Sequence, residues 1–247
     1  MPEIQVANDD WGDSQLADIY RLLQNTASHF DRHMLPTEHS QPLVIRRRFE
    51  GVPQIIYRTS DSDPHVIFLT AHDRLWAKFA YQFAHEYFHF LSFYEGLRAN
   101  RHKWFEEILG EVASIFATRQ MARTWTTSPP YPNWSSYSTS LAEYSAELCT
   151  RPTRQLQPGV TLPMWFAANE TQLLEDPYQR DLNGSFAIGL VEVFDLNPSL
   201  WECVRYLPCS DGGFADYLSL WASTVSPSLR SGVLEIARLF GVQQPEP

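Results

Sequence analysis

"AYQFAHEYFHFLSFYEG", residues 80–96, sets His85 and His89 four positions apart, with Glu86 directly after the first histidine. The stretch lies in a run from Leu75 to Tyr94 with the apolar spacing of a helix, and Gly96 and Asn100 are its stop signals. On a helix, residues four apart share one face, one turn above each other. His85 and His89 can therefore turn a ring nitrogen toward the same ion, with Glu86 one residue round from His85. The competing reading is a packing helix that happens to contain two histidines, with Trp76, Phe79, Phe83, Phe88, Phe90 and Phe93 as its core residues. What separates the two is whether the chain offers a third ligand.

Imidazole-bound zinc needs a third protein ligand and keeps a fourth position for water. Residues 104–114 read WFEEILGEVAS, inside a second helix expected from Lys103 to Trp125. Glu107 and Glu111 are one turn apart on it. Two antiparallel helices joined by a short connection would set Glu107 opposite His85 and His89. Glu111, one turn on, would accept a hydrogen bond from a ligand histidine and orient its ring. Two rivals remain. Glu106 exchanges with Glu107 on a small rotation of the helix, and Glu95 lies ten residues after His85. A Glu106-Glu107 pair is also what a solvated helix face looks like. His65, His72 and His102 stand alone and read as core or surface residues. His29 and His33 are four apart without a following glutamate and read as a surface pair, with His39 nearby.

The elements around these helices set the fold class. Residues 14–33 carry Leu16, Ile19, Tyr20, Leu22, Leu23, Ala27 and Phe30 at helical spacing, and Ser14 or Asp13 can cap that helix. Three β-rich runs follow, Leu43–Phe49, Gln54–Thr59 and His65–Thr70, with turn residues between them. Beyond the proline-rich loop 126–136 come helical patterns near 137–149, 163–175, 184–196, 198–206, 213–224 and 227–240. Strands first and helices after predict an α+β fold. The expected order is a small, mostly antiparallel sheet, a metal-binding helix pair, and a helical C-terminal part. The expected division is a catalytic part over 1–125 and a helical subdomain over 126–247 that completes the cleft.

His85-Glu86-Tyr87-Phe88-His89 is the HExxH pattern of zinc metalloproteases. With a glutamate on the next helix and an acidic residue four positions later, the chain resembles a gluzincin over about residues 65–120. Trp104-Phe105-Glu106-Glu107 resembles the Trp-x-x-Glu context of the third ligand in the aminopeptidase branch. Glu107-x-x-x-Glu111 meets the ExxxD logic of the thermolysin-like branch. Seventeen residues separate His89 from Glu107, one fewer than usual in the aminopeptidase branch, and no GxMEN-like exopeptidase motif precedes the helix. Metzincins place their third ligand where Glu95 stands, but they need a glycine at the position of Ser92. The resemblance implies a Zn²⁺ cofactor that brings its water to a pKa of about 7. Glu86 would be the general base and then the general acid. The donor that stabilises the oxyanion is left open among Tyr178 and Arg180, in DPYQRDLNGS, and Tyr144.

Composition narrows the classes further. With 44% apolar and 14% aromatic residues the chain has ample material for a core. A net charge of −10, with Arg46-Arg47-Arg48 as its one basic cluster, argues against nucleic acid. No window approaches eighteen apolar residues, so no membrane span is expected. The first residues, MPEIQVANDDWGD, have no leader pattern, and three cysteines without CxxC spacing suit free thiols in the cytoplasm. The expected substrate is a peptide or protein, paired as an extended strand against an exposed edge of His65–Thr70. Competing readings are a catalytically silent, regulatory module of the same fold and a metal-dependent hydrolase of a non-peptide substrate.

Overall fold

The computed structural model describes residues 2–34, 41–92 and 100–242. In chain order the elements are β1 (Ile4–Val6), α1 (Leu16–Asp31), β2 (Leu43–Arg47), β3 (Gln54–Ile56), β4 (His65–Leu69), α2 (Trp76–Leu91) and α3 (Lys103–Thr124). After them come α4 (Ser138–Thr150), α5 (Leu162–Glu175), α6 (Arg180–Leu196), α7 (Phe214–Thr224) and α8 (Pro227–Leu239). Short 3₁₀ turns cover Pro132–Tyr137, Pro152–Arg154 and Pro198–Tyr206. The fold is mixed α and β, with one four-stranded sheet.

The sheet corrects the expectation of mostly antiparallel strands. Its order is β1-β2-β4-β3, with β1–β2 and β2–β4 parallel and only β3–β4 antiparallel. Two physical causes account for this. First, β1 lies in the polar N-terminal stretch, and α1 follows it as the crossover that a parallel neighbour requires. Second, β4 displaces β3 from the side of β2. Its sequence, HVIFL, buries His65, Ile67 and Leu69 on one face and pairs on both sides. The three-residue β3, with Gln54 and Ile56 exposed, is left at the edge. So β4 is an interior strand, and the exposed edge expected at His65–Thr70 belongs instead to β3.

The chain forms two compact units. One comprises Met1–Phe90 and Ala113–Leu148, and the other Leu91–Val112 and Cys149–Pro247. The boundary expected at 125/126 falls inside the first of these. The reason is aromatic. In the loop after α3, Trp134 stacks on Trp76 at 5.1 Å and packs on Trp125 at 5.4 Å, while the Ala77 amide donates to the Tyr137 hydroxyl. The half-buried Trp134 ties this proline-rich loop to α2 and to the end of α3.

In the first unit, α1 buries Ile19, Leu22, Leu23, Ala27 and Phe30 completely, as its spacing predicts. The expected cap does not form. Gln15 is the N-cap residue and makes no side-chain cap bond, because the Ser14 hydroxyl donates to the Asp73 carbonyl instead. His29 is a second departure, since it is buried rather than on the surface. Arg32 Nη2 donates to its Nδ1 at 3.2 Å. Burial first, then the charges of Arg32 and His33, push its pKa down to about 3. An unfolded histidine titrates near 6.5. This group's contribution to stability is therefore full above about pH 6.5 and is lost as pH falls from there toward 3. The slope from this one group is at most about 1.4 kcal/mol per pH unit. Urea midpoints at pH 7, 5.5 and 4 should fall less steeply for His29→Gln than for the wild type. Equal slopes would show that His29 is protonated in the folded state.

The second unit is built on aromatic packing. Trp104 is fully buried and touches Phe105, Phe166, Phe214 and Phe240 at ring distances of 4.6–6.0 Å. His102 is buried and donates from Nε2 to the Gly212 carbonyl at 2.9 Å. All three cysteines are free, and burial first, then Glu202, pushes the Cys203 thiol up to about 12.

Candidate metal centre

Helix α2 is locked in place before any ligand is considered. Gln82, one turn ahead of Glu86, is buried against the end of β4. Its Oε1 accepts from the amides of Thr70 and Ala71 at 3.0 and 2.9 Å, and its Nε2 donates to Thr70 Oγ1 at 2.7 Å. Thus the amide caps the strand and fixes the helix to it. Near the helix's other end, the Tyr57 hydroxyl donates to the His89 carbonyl at 3.3 Å, and His65 packs edge-on against Phe90 at 5.3 Å. The Tyr87 hydroxyl donates to Asp31 Oδ1 at 2.8 Å, tying α2 to α1. Further along, Ser114 Oγ of α3 donates to the Tyr81 carbonyl at 2.9 Å. Phe79, Phe83, Phe88 and Phe90 are buried as expected, and Phe93 lies outside the described residues.

With α2 held this way, the rings of His85 and His89 stand 5.0 Å apart at 63°. His89 is buried, and His85 and Glu107 are half-buried. One ligand atom from each of His85, His89 and Glu107 lies within 4.8 Å of the others. A tetrahedral ion with bonds of about 2.1 Å spaces its ligands about 3.4 Å apart. Side-chain adjustment of about an ångström would bring this set within reach of one ion. Two imidazoles and a carboxylate are a donor set that suits a transition metal rather than calcium or magnesium, which take oxygen alone. Among the described residues, this is the one group of three such side chains that converges in this way. Glu86 is buried on α2 between the two histidines in sequence.

The rival carboxylates are placed as follows. Glu106 is not part of this group and accepts from Asn100 Nδ2. Glu95 lies outside the described residues. Glu111 is buried, and its Oε1 accepts from Arg154 Nη1. Arg154 is the residue that the sequence reasoning missed. It stands in RPTR, among loop-like prolines, where a solvated arginine is the ordinary expectation. A usable signal was nevertheless present. Glu111 sits in ILGEVASIFA, and a carboxylate in so apolar a run needs a cation.

The three candidate oxyanion donors differ in position. Tyr144 packs edge-on against Tyr81 at 5.8 Å, and Tyr81 is one turn before His85. Tyr178 is exposed, with Lys103 Nζ 5.0 Å from its ring centre, and Lys103 is one turn before Glu107. Arg180 is the exposed first residue of α6. Desolvation alone would lower the Lys103 ammonium, but the Tyr178 hydroxyl, then Glu107 and Glu106, outweigh it and raise its pKa.

No protein-family model, curated protein or solved structure matches the chain. The functional reading therefore rests on the geometry of this site and on the chemistry of its residues. No helix among the described residues is long and apolar enough to cross a membrane.

Proposed function

We propose that this protein is a zinc-dependent metallopeptidase of gluzincin type that cleaves peptide bonds in the cytoplasm. The observation that carries the reading is the convergence of His85, His89 and Glu107 within 4.8 Å, with Glu86 beside the first ligand on α2. His85 and His89 would hold the ion through imidazole nitrogens and Glu107 through a carboxylate oxygen. When bound, zinc supplies a Lewis acid that acidifies water and polarises a carbonyl. Glu86 takes the proton of the attacking water on its carboxylate and passes it to the leaving amine. Tyr178 and Tyr144, each packed beside a residue one turn from a ligand, are better supported than Arg180 as the oxyanion donor. A peptide substrate would pair with β3, where Gln54 and the 43% exposed Ile56 flank a strand that has one neighbour among the described residues.

The test is metal analysis of purified protein followed by a peptide-library screen with and without chelator. About one zinc per chain and chelator-sensitive cleavage are expected. Zinc without cleavage of any peptide would move the reading to a non-peptide substrate or a silent module. Absence of metal, with no uptake on adding zinc, would overturn it.

A further inference from the structure

We propose that Arg154 is a positioning residue for Glu107. By holding Glu111, it sets the rotation of α3 that presents Glu107, rather than Glu106, as the third ligand. The inference rests on the metal centre proposed above, and its residues lie outside the ligand set.

Helix geometry makes the choice between the two glutamates a matter of rotation. At about 100° per residue, Glu111 lies about 40° around the helix from Glu107 but about 140° from Glu106. A partner that fixes Glu111 therefore fixes Glu107 on nearly the same face and turns Glu106 aside. Arg154 is such a partner. It ends the 3₁₀ turn Pro152–Arg154, is 4% exposed, and donates from Nη1 to Glu111 Oε1. Its own placement is enforced by α6. Asp181 Oδ1 lies 3.9 Å from Arg154 Nε, and Gly184 leaves the space the guanidinium occupies. A Cβ on Gly184 would fall 2.5 Å from Arg154 Nε and 2.8 Å from Cζ, so any side chain there displaces it. On the far side of α3, Asn100 holds Glu106. The two neighbouring glutamates are thus held apart in direction.

Stability alone is a poor account of this arrangement. A buried ion pair is on average no more stabilising than an apolar pair of the same shape, because desolvation offsets the attraction. Fixing a register is the best-attested use of such a pair. Here the register is the one that completes a ligand set.

The experiment uses the full chain loaded with Co²⁺ in place of Zn²⁺, read by its visible absorption, together with zinc affinity by chelator competition. Arg154→Met should weaken zinc binding about 10–100-fold, the range for groups that orient ligands, and should change the cobalt bands. Arg154→Lys, which keeps the charge and one donor, should recover part of both. Gly184→Ala removes no charge but pushes the guanidinium, and should also change the cobalt bands in a folded protein. A role confined to stability would lower the melting temperature and leave the cobalt spectrum alone. If Arg154→Met does not fold, Gly184→Ala and Arg154→Lys decide. Folded variants with wild-type spectrum and affinity would overturn the role of Arg154 while leaving the metal centre standing. A wild-type chain that binds neither metal would overturn the centre itself, and the role with it.

Discussion

Glu86→Gln should keep the metal and the fold while peptide hydrolysis falls by about 10²–10⁴-fold, the usual contribution of a positioned general base. The amide has nearly the shape of the carboxylate, so the buried site on α2 loses little packing. It cannot accept the proton from the attacking water, and the step that generates the nucleophile stalls. Zinc content, circular dichroism and turnover of the best library peptide, measured on one preparation, separate loss of chemistry from loss of structure. A variant that turned over like the wild type would remove Glu86 from the mechanism.

The second large effect is expected in the glutamates of α3. Glu107→Ala should release the metal, as should His85→Ala and His89→Ala, because three protein ligands are the minimum for a catalytic zinc site. Glu106→Ala should retain wild-type zinc affinity while losing the bond from Asn100. Glu111→Ala is the informative case. The motif alone predicts an intact fold with a slacker histidine. The structure adds a cost, because the buried Arg154 would be left without this carboxylate. Removing one member of a buried ion pair typically costs about 3–5 kcal/mol. Glu111→Ala should therefore lower both zinc retention and the melting temperature. Chelator competition and thermal melts on the three alanine variants test the ranking. If Glu106→Ala were the variant to lose the metal, the ligand would be the other glutamate.

Much of the candidate site was legible because its signals are local. The spacing of His85 and His89 is a property of one helix, and Glu107 with Glu111 of another, so 3.6-residue periodicity carries both. The helical half was readable for the same reason. The sheet was less so, because strand order is not a local property. The runs Leu43–Arg47, Gln54–Ile56 and His65–Leu69 lie close to where β-propensity puts them, yet the most apolar run moved to the interior and made the sheet mostly parallel. β1 escaped notice because three residues in an acidic stretch, IQV, carry almost no pattern. Arg154 escaped because the need for it arises from Glu111, 43 positions earlier. The loop 126–136 reads as a boundary from its prolines, and the stacking of Trp134 on Trp76 is a long-range contact that composition does not carry.

The order β1-β2-β4-β3 has a consequence for how the protein behaves in company. Both outer strands, β1 and β3, are three residues long, and the five-residue strands β2 and β4 are enclosed between them. Self-association through sheets needs a long, flat run of unpaired backbone for a second chain to copy. Here the runs most able to seed fibrils, LVIRR and HVIFL, have neighbours on both sides within the same molecule. Among the described residues, each outer strand offers a newcomer only three residues of ladder.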